Sequence, residues 1–506
     1  MRSQPYRLFR VLTLSGVVAL ALFPPLSVHA ATEFRSVVID KIPHVHQRSD
    51  FCGEACAAMY LQRLGKTYSQ DHVYNISGLD PVHGRGCYTR ELRDALLRIG
   101  FNVGPVWYSI DAEKPDPGLD ALFTSVHADL LKGIATIICM YYDEPPADSE
   151  HFRLIVGYDA RTDEVLYHEP AVARAAYKRM KREKLYKLWP LKYDEKEWTA
   201  IRLRLSPQQI REPAKTEGFT DADYAQAVHK LKRKAPEGFH FVIQKPFVVL
   251  GDETPAMVGC RSTGTIAWAV AHIKRQYFTK DPDDIVGIWL FKDKESYETN
   301  VEEIFGDKPH TPFGYYTHRH KALIMNISTG GGTLVHEIVH PFVASNFPDC
   351  PSWFNEGLAS LYEQCGERNG RIVGYTNWRL RGLQKAIRYQ YEPPPKPPKP
   401  EPAEGEEPEE EEEEEWVPVF MPTFEELCGT STYEFYNLDP GTNYSQARYL
   451  CYYLQEHGLL NRYYHEFRRN VKEDPTGYKT LARVLDEEDM VAFQKKWEKW
   501  VMRLRF

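Results

Sequence analysis

The chain has 506 residues, 42% of them hydrophobic and 26% charged, enough to bury sizeable cores, and at roughly 100–200 residues per domain it divides into two or three. Its formal charge is -8, but the stretch from Glu392 to Glu415 alone carries twelve glutamates against two lysines, so the remainder is close to neutral. No basic stripe runs along it, which argues against a nucleic-acid partner.

The N-terminus reads as an export signal. Arg2, Arg7 and Arg10 precede the apolar run Val11 to Phe23, and Ser27-Val28-His29-Ala30-Ala31 is a small-residue cleavage pattern, so a signal peptide is expected over residues 1–30. The apolar run is too short to cross a bilayer comfortably, and no later stretch is long and uncharged enough to do so. The expected mature protein is therefore soluble, periplasmic or secreted, with no membrane span.

Cys52 comes just before the apolar helical pattern Ala57-Ala58-Met59-Tyr60-Leu61, which places it at a helix N-terminus. There the helix dipole and unpaired amides favour thiolate over thiol. His151 opens the strand Phe152 to Tyr158, and after the turn Asp159 to Asp163 a second strand, Val165 to Pro170, carries Glu169. A histidine and a carboxylate on hairpin neighbours can pair, the carboxylate fixing the imidazole tautomer. Gln47, five residues before the cysteine, is suited to donate its side-chain amide to an oxyanion. The bland reading of Cys52 is a buried or disulfide-bonded cysteine, Cys56 being one helical turn away, and His44, His46 and His168 are read as flanking histidines without a role.

These residues resemble the papain-like cysteine peptidases, specifically the family that removes double-glycine leader peptides from bacteriocins. The resemblance implies a papain-like domain over 36–205, with Cys52 as nucleophile, His151 as base and Gln47 at the oxyanion. Its third member falls on Glu169, where the family usually has aspartate, and Asp159 stays open as the alternative.

Residues 206–238 form a charged connector with helical stretches such as Tyr224 to Lys234. Beyond it the pattern predicts strands at Phe247 to Leu250, Ile285 to Phe291 and Lys321 to Asn326, with a helix over Thr265 to Tyr277 between the first two. Gly330-Gly331-Gly332 then leads into His336-Glu337-Ile338-Val339-His340. Histidines at i and i+4 project from one helix face, so both imidazoles can reach a single metal ion, and Glu337 is placed to take a proton from a water that the metal activates. A catalytic zinc needs a third protein ligand. Glu356, just past a helix start at Pro351-Ser352, is the best candidate, and Gly357 and Ala359 are small enough to let that helix lie close against the motif helix.

This stretch resembles the gluzincin peptidases. The resemblance implies Zn(2+) held by His336, His340 and Glu356, with Glu337 as general base and acid. It also implies a sheet whose edge strand binds an extended peptide, for which Lys321 to Asn326 is the choice here. A further tyrosine that steadies the oxyanion falls on Tyr444, with Tyr449 second; the competing reading is that both are packing tyrosines.

The Pro- and Glu-rich segment 392–415, ending in seven consecutive glutamates, has nothing to bury and is expected to be a solvated insertion within a metallopeptidase domain spanning 239–506. Nine cysteines in an exported chain permit disulfides, and the odd count leaves at least one thiol free, most naturally Cys52. A helix over 352–363 would separate Cys350 and Cys365 beyond a disulfide's reach.

The expected fold class is α+β, a papain-like domain followed by a gluzincin-type domain with a small mixed sheet and helices. The expected function is hydrolysis of a peptide or protein substrate by zinc chemistry and by a thiol, with regulation of one domain by the other left open. Three alternatives stay open: only the zinc domain is catalytic, the thiol performs acyl transfer, or the chain is a scaffold with structural zinc.

Overall fold

The computed structural model describes residues 34–145, 149–306, 308–309, 311–392 and 421–506. The expected signal peptide and all but the first residue of the 392–415 insertion lie outside them.

The first half is built on a seven-stranded antiparallel sheet in the order Trp107–Asp111, Glu197–Arg204, Thr136–Tyr141, Glu150–Asp159, Glu164–His168, Lys178–Lys181, with Val37–Val38 pairing on Glu150–Asp159. The two central strands, Thr136–Tyr141 and Glu150–Asp159, are buried at nearly every position, so both faces are covered and their sequences read as apolar runs without alternation. The helix Cys52–Arg63 packs across them, with Gly53 against Phe152 and with Cys56, Ala57 and Met59 in the shared core. A Cβ on Gly53 would lie 2.6 Å from Leu92 Cδ2 and 3.1 Å from Phe152 Cδ2, so glycine lets the helix start directly against the strand that carries His151.

The second half has a five-stranded mixed sheet in the order His240–Gln244, Phe247–Gly251, Val286–Phe291, Ala322–Asn326, Gly314–Thr317. The three central strands are parallel and both outer ones antiparallel. This corrects the expected substrate edge: Ala322–Asn326 is internal, and Gly314–Thr317, a short strand with little apolar signal, returns outside it. The helix expected at Thr265 to Tyr277 begins earlier, at Pro255 behind the capping hydroxyl of Thr254, and runs through a π-helical turn at Ser262–Ala267 to Gln276.

The motif helix, Gly331–Asn346, packs its apolar face on this sheet, and the glutamate helix, Ser352–Leu361, follows it. Gly332 has its functional reason here, because a Cβ would overlap the Glu363 carbonyl. Gly357 does not face the motif helix as expected. It faces the tyrosine helix, Pro440–Glu456, where a Cβ would lie 2.9 Å from the Ala447 carbonyl oxygen and 3.1 Å from Cys451 Sγ. The buried Arg448 completes this contact, donating from Nε to the Ser360 carbonyl at 2.9 Å and from Nη2 to the Leu361 carbonyl at 3.3 Å, where its charge complements the C-terminus of the glutamate helix.

The connector packs on both halves through the helix Asp221–Lys232: Ala222 and Ala225 join the first core, while Tyr224 and Val228 cluster with Val248 of the second sheet. All nine cysteines are unpaired in this structure.

The Gly357 contact generates a stability test. Gly357→Val forces the glutamate and tyrosine helices apart and should cost about 1–3 kcal/mol, as overpacking does. Urea unfolding of the full chain measures it, and an unchanged midpoint would refute the close approach.

Candidate active sites

His336 and His340 sit one turn apart with ring centroids 4.9 Å from each other, and Glu356 reaches them from the next helix. One ligand atom from each of the three lies within 4.8 Å of the others. Glu356 Oε2 is 3.3 Å from His336 Nε2 and 3.9 Å from His340 Nε2. Glu337 reaches between the rings, 3.9 Å and 3.8 Å from the same two nitrogens.

The remaining atoms are occupied by neighbours that no spacing rule identified. His340 Nδ1 meets Asn355 Oδ1 at 3.1 Å, and Tyr436 donates its hydroxyl to Glu356 Oε1 at 2.5 Å. His336 Nδ1 lies 3.4 Å from Glu363 Oε1, an electrostatic pairing too long for a well-formed hydrogen bond, and Arg379 grips Glu363 through Nε at 2.9 Å and Nη2 at 2.7 Å. With His340 Nδ1 and Glu356 Oε1 hydrogen-bonded and His336 Nδ1 facing Glu363, both Nε2 atoms are left for a common point, and buried Glu356 Oε2, like His336 Nδ1, has no hydrogen-bond partner. Two imidazole nitrogens and an orphaned carboxylate oxygen, backed by partners that fix their orientation, fit a zinc ion with an open fourth position.

Charge supports that fit. Burial alone would lower the His336 imidazole, but Glu356, Glu363 and Glu337 raise it to about 10, a measure of how strongly the pocket attracts positive charge. Burial raises the Glu337 carboxyl, partly opposed by the two histidines and by the backbone amide of Tyr316 on the edge strand.

The surrounding cleft, about 1060 Å³, is lined by Gly314 to Tyr316, the motif helix, Trp378, Tyr436 and Tyr444. Tyr444 thus faces the site, with its phenol pushed upward by burial and by Glu356. Tyr449 does not. It is fully buried, and its hydroxyl accepts from the Asn377 amide at 3.0 Å, so it is a packing residue.

In the first half, Cys52, His151 and Gln47 line one cleft of about 250 Å³ together with Cys139, Arg85 and Cys87. His151 Nε2 donates to Glu169 Oε1 at 2.5 Å, which leaves Nδ1 as the nitrogen able to accept a proton. Buried Arg153, two residues along the same strand, donates from Nε to Glu169 Oε2 at 2.6 Å and from Nη2 to the Tyr142 carbonyl at 2.8 Å. Burial would raise Glu169, but His151 and Arg153 outweigh it and hold the carboxyl at about 2. Its stabilising effect is therefore complete above the ordinary value of 4.5 and is lost as pH falls toward 2. Asp159, the alternative third member, lies at the far end of the strand, bonded to Arg161, Arg179 and Ser36.

Gln47 is tied to the same turn by its amide, which donates to the Pro170 carbonyl at 2.9 Å, and its buried side-chain Oε1 has no partner. His44 and His46 bond the Glu169 and Ala171 carbonyls at 2.8 and 3.3 Å, and His168 is buried.

Cys52 is the first residue of its helix, yet the thiol is not activated as that position suggests. Burial pushes it up to about 12, the nearby Glu54 adds to this, and the Phe152 amide opposes it. Glu54 is itself buried, its carboxyl raised to about 7, with Oε1 accepting from the Cys87 amide at 2.7 Å and Oε2 unpartnered. Desolvation thus outweighs the helix dipole, and the sulfur needs His151 to take its proton as it attacks.

Residues 39–196, which include Cys52, His151 and Glu169, match the model of the family described as Peptidase_C39 like. No curated protein matches the chain. Among solved structures, the peptidase domain of Streptococcus ComA, described as a bi-functional ABC transporter involved in a quorum-sensing pathway, aligns over 33% of this chain and 100% of that chain, at 19% identity and a TM-score of 0.23. The N-terminal domain is Peptidase_C39-like, and the chain carries a domain of the peptidase class.

The Glu54 charge is separable from its hydrogen bond. Glu54→Gln keeps an acceptor for the Cys87 amide and removes the negative charge, so the alkylation midpoint of Cys52 should fall by roughly a few tenths to one pH unit. Iodoacetamide labelling across pH, read at the Cys52 peptide by mass spectrometry, measures it; an equal or higher midpoint contradicts the assigned cause.

Proposed function

We propose that the chain is an exported peptidase with two chemically distinct centres, a gluzincin-type zinc centre in residues 239–506 and a thiol centre in the N-terminal domain. The observation that carries the zinc reading is the convergence of His336, His340 and Glu356 on one point, with the Glu356 oxygen otherwise unsatisfied and Glu337 beside it. Three protein ligands at an open cleft favour a catalytic over a structural role. The export proposal rests on the signal pattern over residues 1–30 alone.

Zinc, when bound, supplies Lewis-acid polarisation of the scissile carbonyl and lowers the pKa of water. An extended peptide lies along Gly314–Thr317, adding a strand to the sheet. Glu337 takes a proton from the attacking water, the new C–O bond forms, and the same carboxyl hands the proton to the amine as the C–N bond breaks. Tyr444 donates to the oxyanion, Tyr436 holds Glu356, and the Arg379–Glu363 pair holds His336.

In the thiol centre Cys52 Sγ attacks an acyl carbon while His151 Nδ1 takes the thiol proton. The proton then passes to the leaving amine, and water hydrolyses the thioester. Glu169 and Arg153 keep the imidazole aimed, and Gln47 donates to the oxyanion. The high value at Cys52 favours a second reading in which the N-terminal domain binds peptide and the zinc centre alone cleaves.

Peptide-library cleavage with and without chelator separates these. Glu337→Gln should reduce chelator-sensitive cleavage about 10²- to 10⁴-fold, and His336→Ala should lose the stoichiometric zinc found by metal analysis of the purified parent. Intact chelator-sensitive cleavage in Glu337→Gln would sink the zinc assignment. Cys52→Ala should remove iodoacetamide-sensitive cleavage; no change would establish the second reading.

A further inference from the structure

Among the described residues the two rims of the thiol cleft make no hydrogen bond to the C-terminal sheet, whose strand His240–Gln244 packs only beside Pro81–His83, and one helix connects both rims to that sheet. One rim is the segment from Gln47 to Cys52, and the other runs from Arg85 to Thr89. They meet at Gly86, where a Cβ would overlap the Asp50 carbonyl, so a shift of either rim changes the width of the cleft.

The connector helix Asp221–Lys232 fastens both. Gln226 Nε2 donates to the Ser49 carbonyl at 2.8 Å on the first rim. His229 Nδ1 donates to the Gly84 carbonyl at 3.0 Å and Lys232 Nζ to the His83 carbonyl at 2.9 Å, just ahead of the second. Arg48, next to Gln47, is shared between Asp71 at 2.8 Å and Asp223 of the helix at 3.0 Å. The helix also presses on the second rim, since Gly84 is left-handed at φ +61° and a Cβ there would lie 2.8 Å from Val228 Cγ1 and 2.9 Å from the His229 nitrogen.

The other face of the helix belongs to the C-terminal sheet. Tyr224 and Val228 bury against Val248, Leu231 and Phe241 pack beside them, and Lys245 donates to Asp221 at 2.8 Å. Ala222, Ala225, Gln226 and His229 turn to the first domain and Tyr224 and Leu231 to the C-terminal sheet, while Val228 and Lys232, one turn apart at the seam, touch both.

The geometry points to the connector helix as a positioning element of the thiol cleft, with Gln226 and His229 as positioning residues that set the distance between the Gln47–Cys52 rim and the Arg85–Thr89 rim from a platform in the metal-binding domain. This deepens the proposed function and rests on Cys52 being the nucleophile. Gln226 and His229 grip backbone carbonyls and touch no reacting atom. Their loss leaves Cys52, His151 and Glu169 in place and moves the oxyanion donor Gln47 relative to them, which costs turnover more than substrate binding.

The test uses the full chain and the double variant Gln226→Ala/His229→Ala. Expected is a fall of at least about tenfold in kcat for iodoacetamide-sensitive cleavage, with KM within about twofold and chelator-sensitive cleavage unchanged. The single variant His229→Asn, which leaves Gln226 unchanged and keeps a donor near the Nδ1 position, should retain most of the parent kcat. Unchanged kcat would overturn the inference, as would a fall that tracks chelator-sensitive cleavage and a lowered melting temperature, since a merely structural role predicts that. If the parent shows no thiol-dependent cleavage, the nucleophile reading fails separately, and the rate of Cys52 alkylation becomes the readout. A change of about fivefold or more in the double variant then supports the clamp, and an unchanged rate overturns it.

Discussion

The constraint on which the C-terminal half depends is a buried excess of negative charge. Glu337, Glu356 and Glu363 crowd two imidazoles in a site where each of these side chains is nearly withdrawn from water; Arg379 offsets Glu363, and the cationic form that the carboxylates favour at His336 offsets part of the rest. Buried charges of one sign carry a steep desolvation cost, and removing a partner leaves the others uncompensated. A doubly charged cation at the shared point of His336, His340 and Glu356, as proposed above, would offset that cost. Two glycines permit the close packing around these carboxylates: Gly332 lets the Glu363 backbone come up against the motif helix, and Gly357 lets the helix that carries Tyr444 approach the helix that carries Glu356.

In the N-terminal half the opposing effects are weighted differently. Arg153 and His151 saturate Glu169, so that carboxylate stays ionised despite burial, whereas Cys52 has only the Phe152 and Gly53 amides set against burial and the Glu54 and Asp50 charges. The imidazole is therefore held ready while the sulfur remains a thiol. The glutamate that departs from the family's aspartate is also explained locally: one oxygen meets His151 and the other meets Arg153, a double engagement that the longer side chain spans.

What was legible in the sequence was whatever local periodicity dictates. The i, i+4 histidines, the glutamate one helix later, the cysteine at a helix start and the histidine and glutamate on hairpin strands all follow from spacing along one or two elements. What was not legible depends on contacts distant in the chain. Tyr436 reaches Glu356 across 80 residues, and Gly357 meets Ala447 rather than the adjacent motif helix. The edge strand was misassigned because Ala322–Asn326 is apolar for the reason that it is internal, while the true edge, Gly314–Thr317, is short and mixed in polarity. Cys52 illustrates the limit from the other side: its position at the helix start was read correctly, but the sign of its shift came from desolvation, which has no local signature.

The connector shows why the two halves of the chain are not independent. Its helix buries Tyr224 and Val228 against the second sheet and Ala222 and Ala225 in the first core, and three of its side chains end on backbone carbonyls at or beside the cleft rims while Asp223 pairs with Arg48. A carbonyl can be gripped whatever side chain its residue carries, so of these contacts only the Arg48–Asp223 pair leaves a mark in the composition of the rims. The cleft that holds Cys52 lies against an element buried in both cores, through Ala222 and Ala225 in the first and through Tyr224 and Val228 against Val248 of the second, so the second domain forms part of the packing around the first domain's cleft.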